Sequence, residues 1–185
     1  MAGMMWQGAL VGSLLVAVVG CGSVHPYGFG RTYEPLSAEE QLLERETQLS
    51  YEDVRRNPAQ YRRELLGWFG LVRAVKPRGE RVEATLELRY HQPRHLCASV
   101  EEDSCRVTVA ARDGGPFSAV FVLNEGDREG ARRLAPGSLL KVYGYVQPQQ
   151  FDDRGGPVVA ATFYRHFPLG TYVIANGGTP QRLRR

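Results

Sequence analysis

Four metal-binding residue types crowd into one stretch, "RYHQPRHLCASVEEDSCRV": His91, His95, Cys97 and Cys105. Two imidazole nitrogens and two thiolates would suit tetrahedral zinc. The spacing H-x3-H-x-C-x7-C matches no finger or ribbon, and paired C-x2-C knuckles are absent. The competing chemistry is a cystine. Cys97 and Cys105 would close the acidic loop "ASVEEDS", and loop entropy gives about 2–3 kcal/mol for a ring of this size. The compartment decides between them, because thiols pair in oxidising surroundings.

Other chemistry finds less support. A serine nucleophile needs a base and a sharp elbow to expose it, and no G-x-S-x-G occurs. His166 in "YRHFP" alternates onto the same face as Tyr164 and Thr162 and is expected as a partly exposed strand side chain. "DDRGG" is too short for the six or more oxygens of a calcium loop and reads as a turn. No catalytic residue and no cofactor is expected, so the chain is read as a non-enzyme. Trp68, Tyr90, Tyr143 and Tyr145 lie on predicted strands, with Arg73 and Arg89 nearby in sequence, and form a candidate ligand-binding face, although alternation assigns about half of such residues to the core.

The leader sets the compartment. The first twenty residues carry no charged side chain, and the apolar run Ala9–Gly20 ends in "VVGC". That run has the length of a signal-peptide core and is short for a membrane span of roughly 20 residues. "VVGC" resembles the lipobox of bacterial lipoproteins. The resemblance implies cleavage after Gly20, acylation of Cys21 (a palmitate-type modification) and, from Gly22 rather than Asp, the outer membrane. An uncleaved anchor helix is the alternative. In that oxidising envelope Cys97 and Cys105 are expected as a disulfide, with His91, His95, Cys97 and Cys105 as a metal set only in second place. The net charge of +3 is too small to imply a polyanion, so no nucleic-acid partner is expected.

The elements follow a simple order. Residues 21–36 read as a lipid tether. Ser37 with Glu40 fits a capping box opening a short helix, Ser50 and Asp53 fit a second start, and Asn57-Pro58 a third. Period-two patterning then begins. "LLGWFGLVRAV", "RVEATLELRY", "CRVTVAA", "FSAVFVL", "SLLKVYGYV" and "PVVAATFYRHF" read as strands, with "RDGGP" splitting the third. "NEGDREGARRLAPG" supplies a short helix or turn before the fourth. The fold class is therefore all-β: an OB-like Greek-key barrel of five or six strands behind a helical lead-in, spanning 37–168, with a sandwich of similar size as the alternative. The polar, basic tail 169–185 begins as a further candidate strand.

Across Tyr51–Pro168 the segments "NPAQYRRELLGWFGLVRAV", "FSAVFVLNEGDREGARRLAPGSLLKVYGYV" and "GGPVVAATFYRHFP" resemble the Slp-type outer-membrane lipoproteins. The resemblance implies an OB-like envelope protein facing the periplasm. The expected role is a structural or interaction module of the cell envelope with a protein or glycan partner. The alternative is a binding protein for a glycan or small envelope ligand, working through the aromatic face.

Overall fold

The computed structural model describes residues 33, 35–95, 107–176 and 179–181. Two short helices lead in: α1 (Ser37–Arg45) and α2 (Tyr51–Arg56). Ser50 caps α2 as expected, its side chain accepting from the Asp53 N–H. At α1 the cap lies one residue earlier. Leu36 is the N-cap, and the Glu39 carboxylate, not that of Glu40, accepts the Leu36 N–H at 2.8 Å. Glu39 is drawn inward because it also has a cationic partner on the barrel. The third helix is not formed. After Asn57 the chain makes only turns, closed by Gln60 N–H to Asn57 O and Glu64 N–H to Tyr61 O.

The barrel strands are β1 (Leu66–Arg78), β2 (Arg81–His95), β3 (Val107–Phe121), β4 (Leu139–Phe151) and β5 (Pro157–Phe167). Pairing runs β1–β2–β3–β5–β4 and back to β1. All pairs are antiparallel except β3–β5, which is the closure of an OB barrel. A single 3-10 turn, Glu125–Asp127, stands between β3 and β4. Two strands follow: β6 (Tyr172–Asn176), parallel to the first half of β3, and β7 (Thr179–Gln181), antiparallel to β6. Tyr172 and Val173 are buried, so the sheet continues into the tail.

The expected break at "RDGGP" is a bulge within one strand. Glu87 faces Pro116 while Arg89 faces Asp113, which leaves an extra residue on β3. Gly115, with φ 120°, lies against the Tyr51 ring, and the Tyr51 hydroxyl donates to Pro116 O at 2.7 Å. Helix α2 therefore anchors the bend.

Alternation divides the side chains into two cores. Leu66, Trp68, Val72, Leu86, Phe117 and Val142 fill the interior together with Tyr51 and Val54 of α2. The opposite face of β1, β4 and β5 is also apolar, presenting Phe69, Leu71, Leu139 and Phe167 to Val107, Val109 and Tyr172. A barrel needs only its interior filled. The outer apolar face is buried because the first half of β3, β6 and Tyr33 of the lead-in pack against it.

Candidate functional site

The lead-in is fastened to the barrel by two buried ion pairs. Arg165 Nη1 donates to Glu39 Oε2 at 3.0 Å, with side-chain exposures of 6% and 0%. Lys141 Nζ donates to Glu46 Oε2 at 2.8 Å and to Gly67 O at 2.6 Å, and this pair too is nearly sealed from water. Gly67 makes the second pair feasible, since a Cβ there would fall 1.9 Å from the Glu46 carboxylate. Aromatic faces complete the seating: Lys141 lies over the Phe69 ring at 4.9 Å and Arg165 over Phe167 at 4.8 Å. Burial pulls the Lys141 pKa below the ordinary lysine value, and the Glu46 carboxylate only partly restores it. Tyr33 donates to Glu39, and its own hydroxyl is held above the usual tyrosine range, by burial first and by Glu39 second.

Where the lead-in leaves the barrel surface, a cavity of about 340 Å³ remains. Its apolar wall comes from Leu43 and Leu49 of the lead-in, Trp68 and Phe69 of β1, and Leu88 of β2. Its polar wall comes from the Glu46–Lys141 pair, Arg89 and His91. Arg89 is 8% exposed and donates through Nη1 to Ala111 O, while its Nε is buried without a hydrogen-bond partner among the described residues. His91 stacks on Phe69 with ring centroids 5.3 Å apart and planes 16° from parallel. Burial raises the Tyr172 hydroxyl to about 12, against the opposing pull of the Arg89 and Arg73 charges.

A second polar cluster lies elsewhere. Asp127 Oδ1 contacts His166 Nδ1 at 2.6 Å, and His166 Nε2 contacts Ser138 Oγ at 2.9 Å. Tyr164 donates to Asp127 Oδ2 at 2.7 Å. The expectation of a partly exposed His166 is corrected, since its side chain is only 4% exposed. The register shift at Tyr143/Gly144 turns the later residues of β5, so Tyr164 and His166 point toward the β3–β4 connection. The arrangement has the order of a serine-protease triad, but its serine is enclosed. Ser138 is 3% exposed, and its own N–H is spent on Ala135 O, leaving neither a reachable nucleophile nor a free oxyanion donor at that residue. Burial alone would raise the Asp127 pKa, but hydrogen bonds from His166 and Tyr164 outweigh it and hold the carboxyl below the usual range.

The aromatic residues proposed as one face are dispersed. Trp68 is in the interior core, edge-on to Phe117. Tyr143 is fully buried on the opposite face, beside Phe163. Tyr145 is half-buried and distant from the cavity lining, whereas Tyr90 is 48% exposed and lines the cavity with Trp68. Strand alternation and the β4–β5 bulge separate them, so the four do not form a platform. Cys21, Cys97 and Cys105 lie outside the described residues, as does the His95 side chain. His95 itself pairs through its backbone with Val107. Among the described residues no three His, Cys, Asp or Glu side chains gather as a metal site would. Sequence reading noted Arg89 beside the aromatic strands but missed Lys141, Glu46 and Glu39 and the grouping of the four. No local motif marks them, because each partner lies in a distant segment. No protein-family model matches the chain, and comparison with curated proteins finds no match.

Proposed function

We propose that the protein is an acyl-anchored envelope lipoprotein of the Slp type, held through Cys21 at the outer membrane and facing the periplasm. Its barrel acts there as a non-enzymatic structural or interaction module. The observation that carries this reading is the lead-in that follows directly on the "VVGC" segment and tether. Glu39 and Glu46 pin it to Arg165 and Lys141 of the barrel. A tether joined to a pinned strap carries the anchor's position into the barrel, which suits a module that presents one surface at a membrane. The interior is filled by side chains, and the buried Asp127–His166–Ser138 chain acts as a fastening. Two acyl chains hold a protein stably on a bilayer, whereas one gives only marginal binding. Cys21→Ser tests the anchor. The variant is expected to leave the outer-membrane fraction with the barrel still folded. Retention in that fraction at the wild-type level contradicts the reading.

A further inference from the structure

We propose that the cavity between the lead-in and the barrel is a binding site for a small monocarboxylate with an apolar body, with Arg89 as its counter-charge. Charge balance in the wall favours an anion. Lys141 is neutralised by Glu46 at 2.8 Å, so that pair contributes no net charge to the wall. Arg89 has no carboxylate within ion-pair distance among the described residues. Asp113, its cross-strand neighbour, is exposed and pairs with it only through the backbone ladder. A guanidinium cannot shed its proton to escape burial, as a lysine can. A buried, uncompensated guanidinium lining a cavity is therefore set up for one anionic group.

Shape and lining define the rest of the ligand. Leu43, Leu49, Trp68, Phe69 and Leu88 share the cavity wall with Gln48 and the tyrosines, so an apolar, aromatic-compatible body fits beyond the anionic group. About 340 Å³ is at the small end of ligand sites. With Nη1 given to Ala111 O and Nε enclosed by the protein, Arg89 acts on the anionic group as a charge more than as a two-pronged hydrogen-bond donor. The site is independent of acylation, so a failure at Cys21 would leave it untouched.

The test is calorimetric titration of the full-length chain in lipid nanodiscs with 4-phenylbutyrate and with its neutral isostere 4-phenylbutyramide, against empty nanodiscs. The acid is expected to bind at least about tenfold more tightly than the amide. Arg89→Gln should remove that preference while leaving amide binding unchanged, and Arg89→Lys should retain part of it even if the glutamine variant fails to fold. Leu43→Trp, which fills the cavity and leaves Arg89 in place, should weaken both ligands. Equal affinity for acid and amide, binding of neither, or undiminished acid binding by folded Arg89→Gln overturns the proposal.

Discussion

Glu46 and Lys141 lie 95 positions apart and meet in a pocket that water scarcely reaches, so each is there only because the other is. Removing one partner of a buried pair strands a charge, whereas removing both can be nearly neutral. Glu46→Leu and Lys141→Met are each expected to lower unfolding free energy in urea by about 3–5 kcal/mol, with the double variant recovering most of the loss. Additive losses would show that the two do not act as a pair. At Asp127 the prediction concerns pH. Its folded pKa is depressed below the ordinary 3.8, so its stabilisation is present above that value and disappears as pH falls through the lower folded one. Asp127→Asn is expected to cost about 1–3 kcal/mol at neutral pH and to flatten the acid limb of stability below about pH 4. An unchanged acid limb in denaturation measured across pH would remove Asp127 from the account.

Strands were the most legible elements because alternation reports directly on two-sided environments. β5 occupies Pro157–Phe167, the full span of "PVVAATFYRHF". The third strand was misread at "RDGGP", since glycine and proline mark a turn and a bulge alike. Only the Tyr51 contact from α2 distinguishes them. The lead-in was legible as helical but its purpose was not. Glu39 and Glu46 look like ordinary surface acids until Arg165 and Lys141 arrive from β5 and β4. That Arg89 has no carboxylate beside it among the described residues was equally hidden, because the isolation of a charge depends on every neighbour the fold supplies. The cysteine loop gives a prediction at this scale. His95 pairs with Val107 across the β2–β3 hairpin, Cys97 follows His95 by two positions, and Cys105 precedes Val107 by two. In an oxidising envelope two thiols that flank one short loop are expected to pair. Thiol alkylation of the native protein, with and without reductant, should label both cysteines only after reduction. Labelling of both before reduction would contradict the staple.

For the molecule as a whole, the OB barrel supplies a rigid body and the strap supplies its connection to whatever precedes Tyr33. Among the described residues no helix is long and apolar enough to cross a membrane. The proposed hold on the bilayer is Cys21 with its acyl chains. The cavity under the strap would place a ligand beside the segment that links barrel to anchor, in contact with Glu46 and Lys141, so occupancy and strap seating would share residues. Fold class was readable from strand order and glycine placement, whereas partner identity has no counterpart in periodicity or composition. The anchor remains the claim on which the rest of the biology depends. Intact mass of the protein extracted in detergent from its native envelope tests it most directly. The expected mass is that of a chain beginning at Cys21 with the added mass of its acyl chains. A chain that retains Met1, or one whose Cys21 is an unmodified thiol, would contradict it.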